Sequence, residues 1–556
     1  ILNISLFYIM GGGLIQLVAY GAQDMYLTGN PQITFFKVVY RRHTNFAIES
    51  IKQLFTGTQD FDNTIHCTIS RSGDLLYRMY LQTKLPSVNI SSGLTTGTEY
   101  RAFRWLNWVG HVLVDEVELS IGGQQIDKQT GEWMHLWNEL TQTEEHAAAY
   151  AEMVGNVPRL TQIQSSNSSS ATCATDEYTL YIPLQFWFCR HAGLALPIIS
   201  LQFSDVKVAI KLRKLSECIW ATKQNTSTDY QSKTGVDALA STPSLTDTYL
   251  YVDYIFLDTA ERRRFAQVQH EYLIEQTHQS KSFNIPSGDT TPNVTFNFNH
   301  PVKELVWVVQ PETFTTNAFT QPRGGHQWFN YTDYWDYSGF SGTPSGYYGN
   351  GMKGGRSQNN IFDGFSTVKV AGALNNNNAW VTTTASSTAA NSGYDNVSNY
   401  TEASGVNLYA NRTVEHLLGP NLATPITGNA VGLWSATGND LNILHGGKNP
   451  VSNGKIQLNG NDRFGVRDGF YFNVVQPYQH HTSAPAHGIN VYSFSLKPED
   501  YQPSGTCNFS RIDSAQMVLT LTSNATSGTN ARFRLYALNY NILRIMSGMG
   551  GLAYSA

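Results

Sequence analysis

Hydrophobic and polar residues alternate along much of the chain, with the period of two that is typical of half-buried β-strands. Alternation over Val117–Ile121 is followed by Gly122-Gly123 and then by the returning run Gln124–Ile126. Two glycines between such runs predict a β-hairpin with a two-residue turn. The block Ile456–Phe464 has the same strand, glycine-containing turn and returning strand. The pattern therefore predicts an all-β chain.

Strand-like blocks recur in the same order in the two halves of the chain. The paired blocks are 66–81 with 295–309, 117–126 with 456–464, 178–184 with 489–496, and 205–212 with 513–521. Four pairs in one order predict a duplicated domain. The separation of equivalent residues rises from 229 positions between Asp74 and Lys303 to 339 between Leu119 and Leu458. The second copy therefore carries an insertion, which lies within about 311–452.

Repeated units of eight strands with short helices in loops predict two tandem antiparallel jelly-roll β-sandwiches. The expected divisions are an N-terminal arm over 1–35, a first jelly roll over 36–222, a linker over 223–249, a second jelly roll over 250–545, and a tail over 546–556. A capping box from Thr141 to Glu144 predicts a helix that runs to Met153, and Asp258 with Glu261 predicts another over about 260–266.

The first 23 residues carry no charged side chain. They lack the basic segment of a signal peptide, and Gly11-Gly12-Gly13 interrupts any membrane-spanning helix. Two interpretations are open. Either the natural sequence begins at Met10 and the nine preceding residues come from an upstream reading frame, or the segment is an arm that touches a membrane.

The charge balance narrows the function classes. The 556 residues include 37 lysines and arginines against 42 aspartates and glutamates, a formal net charge of −5. This excludes a basic protein that coats nucleic acid. Charged residues make up only 14% of the chain while glycines number 46, which argues against a helix bundle and against disorder. Five scattered cysteines without a C-x-x-C pair indicate reduced, mostly buried thiols.

The sequence lacks the common enzyme and metal-binding signatures. It contains no H-E-x-x-H, G-x-S-x-G or H-x-H motif, and Gly447-Lys448 is followed by Asn449 rather than by the hydroxyl residue of a phosphate-binding loop. We therefore expect no enzyme, no catalytic residue and no cofactor. His480-His481, near His487, is a candidate metal pair, but adjacent residues on a strand point to opposite faces. A position on a loop surface is favoured, with no metal site.

Two basic runs stand out in a chain of low charge. Arg262-Arg263-Arg264, flanked by acidic residues, is interpreted as a solvated helix face or a contact between jelly rolls or neighbouring subunits rather than a nucleic-acid site. Arg41-Arg42 is likewise interpreted as a site of subunit or membrane-side contacts rather than of DNA binding.

An aromatic cluster lies inside the insertion among Gly, Ser and Asp. Its candidate members for stacking on glycans or for packing are Trp328, Tyr331, Tyr334, Trp335 and Tyr337. Flat aromatic faces suit sugar rings, but packing of the loop against itself and its neighbours is the favoured interpretation. The sequence also contains N-x-S/T motifs, which arise often by chance in such a composition. The candidate glycosylation sites are Asn330, Asn396, Asn399 and Asn411.

Several longer blocks resemble one known family. They are 13–37 (GLIQLVAYGAQD followed by YLTGNPQITFFK), 40–46, 193–197, 253–258, 503–511 and 543–551. The chain resembles the double-jelly-roll major capsid proteins of large icosahedral nucleocytoplasmic double-stranded DNA viruses, and the algal-virus branch, phycodnaviruses and chloroviruses, is the most similar. These blocks span both copies and both ends of the chain.

The resemblance implies a structural capsid protein that forms a homotrimer, a pseudo-hexagonal capsomer tiling an icosahedral shell around an internal membrane. Two similar domains around a three-fold axis give six similar units. The implied partners are neighbouring capsomers, minor capsid proteins, the membrane through the N-terminal arm, and host surface glycans, with no direct contact to nucleic acid. The implied location is the virion, assembled in the host cytoplasm. The insertion is expected to form an outward tower.

A second hypothesis stays open, that of a carbohydrate-binding β-sandwich that attaches to host glycans. Only the aromatic cluster and the generic architecture support it.

Overall fold

The computed structural model describes residues 12–94, 100–161, 164–166, 174–224, 233–316, 326–333 and 448–554. The chain divides into a unit that ends at Phe46 and a second unit from Ala47 onward. The first unit contains the helices Gly12–Val18 and Met25–Thr28 with a 3-10 turn at Ala22–Asp24. Among the helices in these ranges, none is both long and apolar enough to cross a membrane.

Two four-stranded sheets form the first sandwich. The strands of this half are β1 (Phe46–Gln53), β2 (Thr64–Thr68), β3 (Leu75–Leu85), β4 (Val88–Asn89), β5 (Tyr100–Trp105), β6 (Val114–Ile121), β7 (Gln124–Thr130), β8 (Gln164–Ser166), β9 (Ala174–Thr175), β10 (Tyr178–Pro183), β11 (Val206–Leu212), β12 (Ile219–Gln224), β13 (Lys233–Thr234) and β14 (Thr246–Leu257). The sheet orders are β1-β14-β3-β10 and β2-β11-β6-β7. A smaller sheet, β13-β12-β5-β8, and the pair β4-β9 are formed by the intervening loops.

The second sandwich has the same plan. Its strands are β15 (His270–Gln279), β16 (Phe283–Ile285), β17 (Asn293–Phe296), β18 (Pro301–Pro311), β19 (Val451–Leu458), β20 (Asn461–Asp462), β21 (Arg467–Asp468), β22 (Ile489–Ser493), β23 (Cys507–Asn508), β24 (Ala515–Leu521), β25 (Ala531–Met546) and β26 (Met549–Leu552). The main sheet orders are β15-β25-β18-β22 and β17-β24-β19-β20, with β16 and β26 added to β25, β23 to β18, and β21 to β19.

Strand order confirms the predicted duplication. In chain order, β1, β2, β3, β6, β7, β10, β11 and β14 take the same sheet positions as β15, β17, β18, β19, β20, β22, β24 and β25. All four block pairs that the sequence predicted fall on equivalent strands. The fold is therefore two tandem jelly rolls, and the insertion leaves the second one between β18 and β19.

The predicted hairpins form for a local reason. Gly122 and Gly123 have φ values of 59° and 85°, and Asn459 and Gly460 have values of 49° and 79°. Two successive residues with positive φ give the turn whose twist matches the flanking strands. The first hairpin joins β6 to β7 and the second joins β19 to β20.

Helices of the second unit lie in the loops between strands. They are Val109–Leu113, Gly131–Thr141, Glu144–Met153, Pro158–Thr161, Trp187–Arg190, Leu215–Cys218, Thr259–Gln267, Thr313–Thr316 and Gln476–His480, with a π-helix at Tyr471–Val475 and 3-10 turns at Ala192–Leu194, Ile198–Ser200, Gly235–Ala238, Phe509–Arg511 and Ser523–Thr526. The predicted helix cap at Asp258 is confirmed, because its carboxylate accepts a hydrogen bond from the Thr259 amide.

The predicted capping box at Thr141 is wrong in detail. Thr141 is the last residue of the preceding helix, and its hydroxyl donates to the Trp137 carbonyl at 2.8 Å. The following helix begins at Glu144 with Thr143 at the N-cap position.

Sheet pairing also places the end of the first sandwich later than predicted. β14 pairs with β3 from Thr246 to Ile255, so residues 246–257 belong to the first sandwich and not to a linker or to the second sandwich. Residues 219–224 and 233–234, which overlap the predicted linker, are strands as well. The chain passes from one sandwich to the other through the helix Thr259–Gln267.

Candidate functional site: the joint between the two sandwiches

Contacts between the two sandwiches are built on the outer face of the sheet that contains β18 and β25. Alternate residues of β18 face opposite ways: Trp307 and Val309 pack in the core of the second sandwich, whereas Val306 and Val308 pack in the core of the first. Every residue from Val302 to Pro311 is buried. The second sandwich therefore shares one continuous apolar core with the first, and burial of this surface is the main attraction between them. We call this surface the joint.

A helix of the first sandwich covers the joint. Gly131–Thr141 begins at the N-cap Thr130, whose hydroxyl accepts from the Trp133 amide at 3.1 Å. The Trp133 ring is fully buried and lies 5.4 Å from the ring of Tyr536 on β25. Capping fixes the direction of the helix, which holds this aromatic pair against the outer face of the sheet.

One ion pair, with both side chains 13% exposed, crosses the joint beside these rings. Glu132 Oε1 lies 2.6 Å from Arg534 Nη2, and the Tyr536 hydroxyl donates to the second carboxylate oxygen. Arg534 also donates to Gln310 Oε1 at 2.7 Å. Burial, with the Glu132 charge, raises the pKa of the Tyr536 hydroxyl well above its usual value, so the phenol remains a proton donor.

A second ionic group lies at Glu275 on β15. Its carboxylate lies 2.6 Å from Arg190 Nη1 of the first sandwich and 2.5 Å from Lys303 Nζ on β18. The guanidinium of Arg190 also lies 3.9 Å from the centre of the Trp137 ring. Burial lowers the pKa of Lys303, and the attraction of Glu275 offsets part of this shift. Glu275 thus neutralises two cations that the fold removes from water.

A third group contradicts a prediction made from the sequence. His481 was expected on a loop surface, but its ring is buried between Glu304 Oε2 at 3.0 Å and Glu499 Oε1 at 2.9 Å. The reason is that residues 476–480 form a helix rather than a strand, and the His481 amide still bonds the Pro477 carbonyl at 2.8 Å. Adjacent histidines therefore do not alternate as they would on a strand.

The three histidines of this region have separate partners. His480 Nδ1 lies 3.2 Å from the Leu496 carbonyl, and His487 Nδ1 lies 3.2 Å from Asn473 Oδ1. Throughout the part of the chain that the structure describes, no three His, Cys, Asp or Glu side chains are grouped so as to hold a metal ion.

Stability should depend on pH through His481. Burial alone would lower the pKa of this ring, but Glu304 and Glu499 raise it to about 9, above the 6.5 of an unperturbed histidine. Because the folded pKa is raised, the stability that protonated His481 contributes is complete below pH 6.5 and is lost as the pH rises through about 9. A shift of this size corresponds to a contribution on the order of 3 kcal/mol.

The measurement is urea unfolding of the wild type and the His481→Gln variant between pH 6 and 10. The wild type should be the more stable protein at pH 6, and the difference should shrink towards pH 10. A difference that stays constant over this range would contradict the assignment.

Close to the joint, both ends of the insertion are fixed to the core. The Gln310 side-chain amide donates to the carbonyls of Gln327, Trp328 and Asn330 at 2.9, 3.1 and 2.8 Å. Asp333 and Lys448, which flank residues 334–447, bond through the Asp333 amide to the Lys448 carbonyl at 3.0 Å and through the Lys448 amide to Asp333 Oδ1 at 2.8 Å. We call residues 326–333 with Lys448 the stem. It brings the two ends of the insertion together.

Two of the five aromatic candidates lie in this stem. Trp328 donates through Nε1 to the Glu217 carbonyl at 2.8 Å, and the Arg213 guanidinium lies 4.3 Å from the centre of its ring. Tyr331 is buried in the core of the first sandwich. These rings pack the stem against the first sandwich, so neither presents a free face to a sugar. Tyr334, Trp335 and Tyr337 lie outside the described residues.

Asn330 is not available as a glycosylation site in the folded chain. Its side chain is fully buried, with Nδ2 donating to Gln327 Oε1 at 2.7 Å and Oδ1 accepting from the Thr332 amide at 3.0 Å. A glycan on that nitrogen would have to displace the stem. Asn396, Asn399 and Asn411 lie outside the described residues.

Part of the predicted role of the arginine run agrees with its contacts. In the exposed helix Thr259–Gln267, Arg262 Nε lies 2.8 Å from Asp74 Oδ1 of the first sandwich. Asp74 is buried and also accepts from the Leu257 amide at 2.9 Å. Arg262 therefore fixes the passage between the sandwiches.

Sequence reasoning did not find the ionic groups of the joint. Arg190, Glu275, Lys303 and Glu304 were not singled out, although one signal was available. Lys303-Glu304 interrupts the otherwise apolar run from Val302 to Val309, and charged residues in such a run are buried only when they are paired.

Comparison with known proteins identifies the family of this chain. Residues 34–258 match the family model for the N-terminal part of major capsid proteins, and residues 261–551 match the model for major capsid proteins of large eukaryotic DNA viruses. The chain belongs to the major capsid proteins of large eukaryotic DNA viruses. The match changes from one family model to the other at the helix Thr259–Gln267, where the chain passes between sandwiches.

Individual relatives cover nearly the whole capsid chain. The major capsid protein of Phaeocystis pouchetii virus is 45% identical, with 98% of this chain and all of the relative aligned. That of Paramecium bursaria Chlorella virus 1 is 35% identical over the same shares. A quasi-atomic model of the PBCV-1 virus capsid has a TM-score of 0.60 at 31% identity, covering 94% of this chain and all of that chain. The predicted resemblance to the algal-virus branch is confirmed.

Proposed function

We propose that three copies of this capsid protein form a homotrimer, a pseudo-hexagonal capsomer that tiles an icosahedral shell around an internal membrane. The observation that carries the proposal is that two sandwiches of identical strand order are held by a buried joint within one chain. Three such chains around a three-fold axis supply six similar units. Such a capsomer needs the two sandwiches of each chain in a fixed relative position. The ion pairs and the shared apolar core of the joint hold them in that position.

The trimer is tested by light scattering of the purified protein at micromolar concentration. The expected mass is three times the 61.8 kDa of the chain. A stable monomer would contradict the proposal.

The proposed partners follow from the same assembly. They are neighbouring capsomers, minor capsid proteins, and the internal membrane through the charge-free segment at the start of the chain, with the virion as location and the host cytoplasm as site of assembly. We place the boundary between the jelly rolls at about residue 258, where sheet pairing changes.

The insertion is proposed to form the outward tower of the capsomer. Its ends meet at Asp333 and Lys448, and changing the length of a flexible loop between fixed ends changes its closure cost by only about 0.6 kcal/mol per doubling of length. Replacing residues 370–412 by a short Gly/Ser linker should therefore leave trimers with an unchanged melting temperature and altered host attachment. Size-exclusion chromatography and thermal unfolding check this expectation. A variant that fails to fold, or a map that places the segment inside the shell, would sink the tower assignment.

A further inference from the structure

One sheet of the first sandwich is exposed where its counterpart in the second is buried. β18 and β22 are buried on both faces, apart from their terminal residues, because the first sandwich covers their outer side. In the equivalent sheet of the first sandwich, β14 alternates the buried Leu250 and Val252 with the half-buried Tyr249 and Tyr251. No described residue from Ala47 onward covers this outer face as Trp133 covers its counterpart.

The exposed face carries a set of tyrosines. Tyr80 on β3 stacks on Tyr251 at 5.3 Å and meets the edge of Tyr181 on β10 at 6.1 Å. Lys52 Nζ on β1 lies 3.2 Å from the centre of the Tyr249 ring. Tyr181 is 38% exposed. We call this set the tyrosine face. Large amphipathic rings of this kind are enriched at protein interfaces.

The second sandwich has a helical segment at the same place in its chain order as the helix that covers the joint. In the first sandwich the chain leaves β7 and enters the helix Gly131–Thr141, which covers the joint, before reaching β10. In the second, the chain leaves β20 and β21 and enters the helical segment Tyr471–His480 before β22. That segment carries Tyr478, which is 84% exposed, and follows Phe470, which is 59% exposed. Its inner side is held by the buried Phe472.

We propose that the helical segment Tyr471–His480 of one copy docks on the tyrosine face of the next copy, which repeats between chains the contact that the joint makes within one chain. The occupant is therefore a second copy of this chain. A contact of one surface with a different surface closes into a ring when the rotation between units allows it. The contact within a chain and the contact between chains then use equivalent elements. The six sandwiches of a trimer are therefore joined around the ring by six similar contacts. The proposal rests on the proposed trimer and names its surfaces.

Charge substitutions on the two surfaces test the inference. Tyr251→Arg alters the tyrosine face and Tyr478→Arg alters the helical segment, while Val268→Arg changes a residue that is 53% exposed and lies on neither surface. Light scattering at micromolar concentration should give the trimer mass for the wild type and for Val268→Arg. Both tyrosine variants should dissociate, with at least a tenfold loss of trimer. Their circular dichroism should stay unchanged, because Tyr478 is exposed and Tyr251 lies on the outer side of β14, opposite the buried Leu250 and Val252.

The outcomes separate this inference from the proposed function. If the wild type is monomeric, the proposed trimer fails and this inference fails with it. If the wild type and both tyrosine variants are all trimers, the trimer stands and the surface assignment is overturned.

Photo-crosslinking gives a second measurement that does not depend on dissociation. With Tyr478→benzoylphenylalanine, a mixture of isotopically labelled and unlabelled chains should yield peptides cross-linked between copies to 75–85, 178–183 or 246–257. Cross-links confined to one chain, or directed to residues 12–46 or to the second sandwich of another copy, would overturn the proposal.

Discussion

The Glu275→Ala substitution is expected to lower the free energy of unfolding by about 3 to 5 kcal/mol, the range for removing one partner of a buried ion pair. The Glu275 carboxylate contacts Arg190 and Lys303 at 2.6 and 2.5 Å. Lys303 is 1% exposed, so without the carboxylate its buried ammonium group would keep only the weaker attraction of Glu304 or lose its proton. Both outcomes cost free energy that the folded state does not recover elsewhere.

The same strand supplies a matched control. Glu271 on β15 also forms an ion pair, with Arg544 at 2.9 Å, but both side chains are more than half exposed. Glu271→Ala should change the free energy of unfolding by no more than about 1 kcal/mol. Urea unfolding of the two variants at pH 7 measures both effects. Equal and small losses would show that burial does not make the Glu275 group important.

Replacing the whole group tests the physical reason. In the triple variant Arg190→Leu, Glu275→Leu, Lys303→Met, no buried charge is left without a partner. Such apolar replacements are often neutral or stabilising, so the triple variant should recover most of the stability that Glu275→Ala loses. If the triple variant does not regain this stability, the loss in Glu275→Ala is due to altered packing at the joint and not to unpaired charges.

Periodic features of the fold could be predicted from the sequence because each strand carries its own evidence. Alternation from Val117 to Ile121 and the following glycines fix a hairpin locally, without reference to the rest of the chain. The order of such blocks then indicates the duplication. The end of the first sandwich was misplaced because β14 was not recognised as the counterpart of β25, and only pairing with β3 assigns it.

The joint could not be predicted in the same way, since it depends on which face of a sheet another sandwich covers. A strand buried on both faces, such as β18, is a mainly apolar run, broken here by Lys303-Glu304, whichever neighbour covers it. The partners of Lys303 and Glu304 lie at Glu275 and His481. Partners that are so far apart along the chain produce no periodic pattern in a single sequence.

The position of His481 was misjudged through the wrong local structure. Treating residues 480 and 481 as part of an extended segment placed their side chains on opposite faces, but His481 directly follows the helical segment Tyr471–His480, in which Pro477 comes after the π-helical turn Tyr471–Val475. Proline inside a helical segment is disfavoured, so the local sequence did not indicate a helix here.

The Gly488→Ala substitution is expected to cost about 3 kcal/mol or more, because it combines backbone strain with a steric overlap. Gly488 has a φ of 95°, and a Cβ atom there would overlap the backbone carbonyl of Tyr331 in the stem. A side chain at positive φ costs about 1 to 2 kcal/mol by itself. Overlap with a backbone atom adds to this, because the stem cannot move without breaking the bonds that Gln310 and Thr522 donate to it.

Gly288→Ala separates the two contributions. Gly288 has a φ of 83°, close to that of Gly488, but no atom lies within 4 Å of the added Cβ position. This variant should lose only the strain, about 1 kcal/mol. Thermal and urea unfolding of both variants give the comparison. Equal losses would mean that the stem can shift at Tyr331 with little cost in free energy. A much larger loss for Gly488→Ala would show that the stem is as rigid as the core on which it packs.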